Sequence, residues 1–183
     1  MKPCWGTMTV IFKRYQIEFR VIKQDDIEQL RQWRNREDIR LMMVDQSEIS
    51  VEQQQAWFER LPTQTNRYHF ALWFRDQLIG YANASSSDAD NVSTGLYMGH
   101  EKYRGSMLAI CVGVGLSEWC FEQLPITRIS AQVAHHNQAA LRFNESLGYR
   151  VVEQNENWVF LSKTQNEFEQ ARERLLPMLS RFS

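Results

Sequence analysis

A short polar turn that leads into a long apolar segment is the part of the sequence best suited to hold a ligand. Residues 100–119 are HEKYRGSMLAICVGVGLSEW, with Arg104 and Gly105 in the turn. The segment from Ser106 to about Gln123 is apolar on nearly every face, which predicts a buried helix. The first amides of a helix lack partners and lie at the positive end of its dipole, so they can hold a phosphate. The pattern indicates a phosphate-binding loop, or else a plain turn before a buried helix.

A second polar stretch, AHHNQAALRFNESLGY, follows a short predicted strand. It predicts a helix with Asn137 near the N-cap and Gly148 at the position after its C-terminus. His135 and His136 end the predicted strand, where adjacent side chains point to opposite faces, so at most one of them is expected to enter a site. His69 lies within an alternating strand, where a histidine is more often satisfied by hydrogen bonds than catalytic.

The elements that must position these stretches follow from the periodicity of the apolar residues. Strands are predicted at residues 15–22, 68–74, 78–85, 93–100 and 128–133, with a last hairpin at 149–163, and helices at 23–35, 51–62, 106–123, 137–148 and 165–182. Asp25 is a candidate N-cap of the first helix, Ser50 with Gln53 caps the second, and the serine-rich residues 85–91 are predicted to be a loop. The order β-α-α-β-β-β-α-β-α-β-β-α predicts an α/β fold with a mixed sheet and helices on both faces.

Length and composition are those of an ordinary globular protein. The 183 residues are 43% hydrophobic and 23% charged, with a formal net charge of -1. This predicts a single domain over residues 1–183, with its core at about 15–163 and a C-terminal helix at 164–183. The near-neutral charge argues against a general binder of nucleic acid or of anionic membranes.

Signals for export, membrane insertion and metal binding are weak. The apolar run near the N-terminus is broken by Lys13 and Arg14 and is too short for a signal peptide, and no run is long enough to span a bilayer. A cytoplasmic protein is therefore predicted. The three cysteines, Cys4, Cys111 and Cys120, are too few and too scattered for a disulfide framework, and no cluster has zinc-ligand spacing, so no metal is expected.

The last strand before the turn, the turn itself and the second polar stretch together resemble the GNAT superfamily of acetyl-CoA-dependent N-acetyltransferases. The resemblance covers about residues 15–163 and is strongest at 95–149. The family's pyrophosphate loop, Arg/Gln-x-x-Gly-x-Gly/Ala, is matched by Arg104 and Ala109, with Met107 in place of the central glycine. The family's later Asn-x-x-Ala, acidic residue and Leu-Gly-Phe/Tyr are matched by Asn137, Ala140, Glu145, Leu147, Gly148 and Tyr149.

This resemblance implies a GNAT-like acyl-CoA N-acyltransferase fold, with a mostly antiparallel central sheet and an extra C-terminal helix. It implies an enzyme that moves the acetyl group of acetyl-CoA to a primary amine by direct attack, without a metal. The backbone N–H that the family aims at the oxyanion would come from residues 97–99. The residues implied for cofactor binding are Met98, Gly99, His100, Arg104, Gly105, Ser106, Met107, Leu108, Ala109, Asn137 and Ala140.

Asn144 departs from the family, because many members have a Tyr there that protonates the departing thiolate. A thiol of pKa about 8.5 is already a tolerable leaving group, and general acid catalysis is worth about 10²–10⁴-fold, so transfer would be slowed and not abolished. Asn144 could donate a hydrogen bond to the sulfur, another residue could protonate it, or the protein could be an inactive CoA-binding regulator or interaction module. The residues predicted to be catalytic are Asn144, His135 and His69, and the wider set of candidate bases, which could act through a bound water, adds His100, Glu101 and His136.

The N-terminal half resembles a branch of the family with two groups, the ribosomal-protein N-terminal acetyltransferases and the amino-sugar nucleotide N-acetyltransferases of the pseudaminic-acid pathway. The WRN triplet and the strands YHFALWF and LIGYANAS are closer to the second group. In both groups the acceptor pocket lies between the first two helices and the last hairpin.

The resemblance therefore implies a small-molecule amine acceptor, an amino-sugar nucleotide of the UDP-4-amino-sugar type. Arg34, Asn35, Arg40 and Met42 are the candidates to contact it, because Arg suits bidentate phosphate contacts. The alternatives are a protein N-terminus or a polyamine as acceptor, and solvated charges at the helix end in place of a phosphate site. No nucleic-acid or membrane partner is expected, and the C-terminal helix is expected to pack on the domain or on a second subunit of a homodimer.

Overall fold

One eight-stranded sheet organises the structure, a computed structural model that describes residues 10–182. Its strands are β1 (Val10–Arg14), β2 (Ile17–Arg20), β3 (Arg67–Phe74), β4 (Gln77–Asp88), β5 (Asn91–Met98), β6 (Arg128–Ala134), β7 (Arg150–Gln154) and β8 (Trp158–Thr164). The strand order is β1-β2-β3-β4-β5-β6-β8-β7. Every neighbouring pair is antiparallel except β5 and β6, which are parallel. The predicted mixed and mostly antiparallel sheet is confirmed.

Helices cover both faces of this sheet, as predicted. Within residues 10–182 the α-helices are α1 (Gln24–Asn35), α2 (Glu37–Arg40), α3 (Val51–Arg60), α4 (Met107–Gln123), α5 (Gln138–Ser146) and α6 (Gln165–Leu179). Along β3, Ala71 packs in a small apolar cluster with α1 and α3, whereas its neighbours Phe70 and Leu72 pack in the main core with α4, α5 and α6. Successive strand residues point to opposite faces, so the two helix layers lie on opposite sides of the sheet.

The helix α4 lies at the centre of the main core. Residues 111–120 are all buried, in agreement with a helix that is apolar around its whole circumference. A Cβ built on Gly113 would lie 2.5 Å from Cδ1 of Leu147, so the glycine lets α5 approach α4 closely. Burial raises the pKa of Cys111 to about 11 and that of Cys120 to about 12, which makes both thiols unreactive.

Two predictions about strands are wrong, and sheet pairing explains both. The described end of the apolar run near the N-terminus lies in β1, and no strand begins at Tyr15, because Tyr15 and Gln16 have φ values of 51° and 61° and form the turn between β1 and β2. Residues 85–88 belong to β4 and not to a loop. Their backbone pairs with the start of β5, as Ser86 does with Val92, and this pairing outweighs a composition typical of loops.

The predicted N-cap of α3 is confirmed, and the predicted N-cap of α1 is wrong. Ser50 caps α3 and accepts a hydrogen bond from the Gln53 amide at 3.2 Å, while the Gln53 side chain accepts one from the Ser50 amide at 2.8 Å. The residue that caps α1 is Lys23 and not Asp25. Asp26 determines this start, because its carboxylate accepts a hydrogen bond from the Lys23 amide at 2.8 Å.

A lysine is fully buried beside α4. Lys163, at the end of β8, donates hydrogen bonds from Nζ to Ser117 Oγ at 2.7 Å and to the Leu147 carbonyl at 3.2 Å. The ammonium also lies over the rings of Tyr149 and Phe168, at 4.2 and 4.7 Å from their centroids. All of these partners are neutral, so burial lowers the pKa of Lys163 to about 7.

We expect this lysine to make the free energy of unfolding depend on pH. Between pH 7 and about 10 the unfolded chain holds a proton on Lys163 that the folded chain has released, so stability rises with pH in that window. The melting temperature of Lys163→Met, relative to that of the wild type, should therefore decrease as the pH is raised from 6.5 to 9.5. A change of at least about 1 kcal/mol, or about 2–4 °C, is expected.

The exposed Lys102 gives the matched control, since its replacement by Met should shift the melting temperature by the same amount at both pH values. A pH-independent difference between Lys163→Met and the wild type would show that the buried amine does not titrate in this range.

Candidate active site

A gap opens in the sheet between its two parallel strands. The ladder between β5 and β6 consists of Asn91 with Arg128, Val92 with Ile129, and Ser93 with Ser130, and it stops there. The strands continue to residues 98 and 134, and each keeps its other, antiparallel neighbour. The strand edges that face the gap can therefore pair with the amides of an extended ligand.

The main chain of Met98 faces this gap. Gly99 donates its amide to the Ile79 carbonyl at 2.9 Å, so Gly99 and Ile79 form a hydrogen-bonded pair across β4 and β5. Hydrogen-bonded and open pairs alternate in an antiparallel ladder, so Met98, which lies opposite Gly80, turns its N–H and carbonyl away from β4. The N–H that faces an oxyanion is predicted within residues 97–99, and Met98 has an N–H that is directed into the gap.

The turn between β5 and α4 leaves backbone amides unpaired at the helix start. Gly105 has a φ of +66°, and a Cβ built on it meets no atom within 4 Å, so the space above the turn is open. Ser106 is the N-cap of α4 and accepts a hydrogen bond from the Leu108 amide at 3.3 Å. Among residues 10–182, the amides of Gly105 and Met107 donate to no group. Open space, two free amides and the helix dipole fit a diphosphate.

A carboxylate holds the arginine of this loop. The Arg104 guanidinium forms an ion pair with Asp38 of α2. The second oxygen of Asp38 accepts a hydrogen bond from Nε of Arg36 at 2.8 Å, and Nη1 of Arg36 donates to the Gly99 carbonyl at 3.0 Å. Arg36 and Asp38 are not predicted from the sequence, because both fall in a polar connection with no motif.

The second polar stretch forms the turn after β6 and the whole of α5, at the edge of the gap. Asn137 is the N-cap of α5, and its side-chain oxygen accepts a hydrogen bond from the Ala140 amide at 3.0 Å. Asn144, one helical turn after Ala140, donates a hydrogen bond from Nδ2 to the Ala140 carbonyl at 2.8 Å. This bond uses one of the two hydrogens on Nδ2, so Asn144 keeps a donor for a ligand.

A cavity of about 580 Å³ lies where β6 ends, a size typical of small-molecule sites. It is lined by Val44, Asp45, Gln46, Ala134, His135, His136, Glu156, Asn157 and Trp158. Both histidines line it, so the prediction that at most one could enter is wrong. β6 ends at Ala134, and the alternation of a strand does not apply to the turn that follows.

Arg34 and Arg40, two of the residues predicted to contact the acceptor substrate, bind the backbone of the wall of this cavity. Arg34 donates to the Asp45 carbonyl, and Arg40 donates to the Gln46 carbonyl at 2.7 Å. Each guanidinium also has a buried nitrogen, Nη1 of Arg34 and Nε of Arg40, with no partner among the described residues. The two arginines therefore fix the segment after α2 and still have donors to offer.

Asn35 and Met42, the other two residues predicted to contact the acceptor substrate, differ in whether their side chains are free to bind a ligand. The Asn35 side chain is engaged at both ends with the backbone of Ile49, since it donates to the carbonyl and accepts from the amide, each at 2.8 Å. Met42 is 37% exposed in the same segment. Asn35 thus anchors the segment, and Met42 is open to contact.

His69 is held at both ring nitrogens. Nδ1 lies 2.6 Å from the Tyr81 hydroxyl and Nε2 lies 2.9 Å from the Gln64 side-chain oxygen. The Tyr81 hydroxyl also accepts a hydrogen bond from Asn83 at 3.2 Å. Burial lowers the pKa of His69 to about 4, so the ring is neutral near pH 7 and belongs to a polar network between α3 and the sheet.

The remaining base candidates, His100 and Glu101, lie in the turn between β5 and α4. Nε2 of His100 lies 2.8 Å from the Gln77 side-chain amide. The exposed Glu101 carboxylate lies 3.8 Å from the Arg36 guanidinium. The structure thus brings these two residues to the loop after β5, away from the residues that line the cavity.

Solved structures share this fold at low sequence identity. An uncharacterized protein from Bacillus halodurans superposes with a TM-score of 0.76 at 15% identity, over 85% of this chain and 87% of that one. Aminoglycoside acetyltransferase AAC(6')-Ib in complex with coenzyme A gives 0.71 at 18%, over 85% and 99%. The Campylobacter jejuni N-acetyltransferase PseH in complex with acetyl coenzyme A gives 0.62 at 16%, over 84% and 96%. No curated protein matches the sequence.

The family follows from the sequence match. Residues 16–150 match the model of the acetyltransferase (GNAT) domain, and the chain belongs to that family. It is an acetyl-CoA-dependent N-acetyltransferase, and the gap and the free amides at the start of α4 fit the cofactor.

Within residues 10–182 no helix is long and apolar enough to cross a membrane, and no group of three metal-ligating side chains occurs. Cys4 lies outside the described residues.

We expect substitutions at Gly105 to separate backbone strain from ligand contact. Gly105→Ala forces a residue with a Cβ into the left-handed region, which costs about 1–2 kcal/mol of stability, and also fills the open space above the turn. Gly105→Asn is the matched control for strain, because Asn adopts this region more readily, yet it fills the same space. Calorimetry should show CoA binding weakened about tenfold or more in both variants. Undiminished affinity in folded Gly105→Asn would contradict the diphosphate assignment.

Proposed function

We propose that the protein acetylates the primary amine of an amino sugar carried on a nucleotide, of the UDP-4-amino-sugar type. The observation that carries the proposal is the cavity at the end of β6, which adjoins the strand gap at Ala134. A cavity of about 580 Å³ accommodates a sugar, and its position lets an amine approach a thioester held in the gap.

The charges around this cavity suit a substrate with an amine at one end and phosphates at the other. Asp45 and Glu156 line the cavity and attract an ammonium group. Arg34 and Arg40 hold the backbone of the same wall and have unpartnered buried nitrogens, which suit phosphate oxygens. Trp158 adds an aromatic surface, on which a sugar ring can pack.

Three groups of this chain take part in the proposed reaction: the Met98 N–H, Asn144 and His135. Acetyl-CoA supplies an activated acyl group when it is bound. The Met98 N–H stabilises negative charge on the carbonyl oxygen, and Asn144 donates its second amide hydrogen to the sulfur. His135 accepts the proton of the amine, directly or through water. We assign no proton transfer to His69, because hydrogen bonds engage both of its nitrogens.

The acceptor class is tested by transfer assays with purified protein. We expect kcat/KM for a UDP-4-amino-sugar to exceed that for kanamycin, spermidine or a peptide N-terminus by about tenfold or more, about 1.4 kcal/mol of discrimination. Glu156→Gln should lower kcat/KM for the amine by about three- to fivefold, the value of one partly exposed charge, and leave KM for acetyl-CoA unchanged.

Glu153→Gln is the matched control, because Glu153 is an exposed carboxylate on β7 of the same hairpin. Faster transfer to kanamycin or to spermidine than to the sugar nucleotide would overturn the nucleotide part of the proposal.

The role of Asn144 is tested on kcat. Asn144→Ala removes the donor to the sulfur, so kcat should fall by about tenfold with KM for acetyl-CoA within about twofold, because a hydrogen bond that forms in the transition state acts on kcat. Ser146→Ala is the matched control, since it removes a side-chain bond to a helix carbonyl, that of Phe143, on the same helix. An equal loss in both variants would show that Asn144 acts only through helix stability.

A further inference from the structure

We propose that Asp38 is an internal counter-ion that the diphosphate of CoA displaces, and that Arg36 is a second ligand of that diphosphate. The inference rests on the proposed function only in that the cofactor binds at Arg104. Its basis is the position of one carboxylate between two guanidinium groups. Oδ1 of Asp38 accepts a hydrogen bond from Arg36 Nε at 2.8 Å, and Oδ2 pairs with Arg104 Nη1.

The two arginines come from different elements and meet at the loop that binds the diphosphate. Arg104 lies in this loop, and Arg36 lies at the junction of α1 and α2. The Gly99 carbonyl, just before the loop, accepts a hydrogen bond from Arg36 at 3.0 Å. Arg36 is thus fixed beside the loop by a bond that does not involve Asp38. Its Nη2 is buried and has no partner within residues 10–182, so Arg36 has an unused donor.

The carboxylate occupies a place that suits a phosphate. Guanidinium groups bind carboxylate and phosphate with the same planar donors, so two arginines around one carboxylate also form a site for a diphosphate. A diphosphate has more charge and more acceptor oxygens than one carboxylate, and a carboxylate left in place would repel it. The Asp38 side chain is 44% exposed, so it can turn into water at small cost.

Asp38 is accordingly a competitor of the cofactor and not a ligand of it. Its removal should tighten CoA binding, whereas the removal of a residue that only supports the loop would weaken it. The sign of the change therefore distinguishes the two roles. The adjacent Glu37 provides a control for general charge effects, since it is exposed on the same four-residue helix and forms no ion pair among the described residues.

Isothermal titration with CoA and with 3′-dephospho-CoA, which retains the diphosphate, tests the proposal on the full chain. We expect Asp38→Asn to lower the Kd of both probes by about threefold or more, and Glu37→Gln to leave both unchanged within about 1.5-fold. In an Arg104→Gln background, Asp38→Asn should give a much smaller gain in affinity, because Asp38 then pairs with only one arginine, Arg36, of the two that bind the diphosphate. Arg36→Gln should raise the Kd of both probes by about tenfold.

Three outcomes would overturn the inference. They are weaker or unchanged binding in folded Asp38→Asn, an equal gain in Glu37→Gln, and a gain confined to CoA, which would assign the effect to its 3′-phosphate. Failure of the wild type to bind either probe at millimolar concentration is a different result, because it would overturn the proposed function itself. Thermal unfolding without ligand verifies that each variant is folded.

Discussion

The parallel ladder between β5 and β6 stops after Ser93 and Ser130, and the rest of the site depends on where it stops. Each strand keeps an antiparallel partner on its other side, β4 for β5 and β8 for β6, so both remain paired strands after they part. The gap is thus bounded by two rigid halves of one sheet and not by loops. A site on rigid elements binds its ligand without first ordering a segment of chain, which lowers the entropic cost of binding.

The same frame brings the open strand edge, the free amides at the start of α4 and the short helix α2 close together. The buried helix α4 is anchored in the core and starts where β5 ends, so the free amides of Gly105 and Met107 lie next to the open strand edge. The short helix α2 contacts both parts of the site. Asp38 pairs with Arg104 in the turn before α4, and Arg40, two residues later, holds the wall of the cavity at Gln46. The regions that we propose for the cofactor and for the acceptor are therefore joined through four residues of helix.

What could be predicted from the sequence depends on how local the cause is. The helix α4, the cap at Asn137 and the sheet class follow from signals within a few residues, and the structure confirms them. The ion pair of Asp38 with Arg104 joins residues 66 positions apart, and no local pattern indicates it. The contacts of Arg34 and Arg40 with loop carbonyls likewise depend on how the chain returns after α2. A prediction from residue type identifies an arginine that can bind phosphate, but not the group that already occupies it.

The departure of Met107 from the family pattern has a physical explanation in the backbone. Residue 107 is the first residue of α4, where φ is negative, so a side chain there causes no strain and a glycine would only weaken the helix. Gly105 differs, because its φ of +66° disfavours any side chain. A diphosphate at this helix start, as we propose, contacts main-chain amides, and Met107 has the same amide as a glycine. The glycine that the backbone of this loop requires is therefore Gly105.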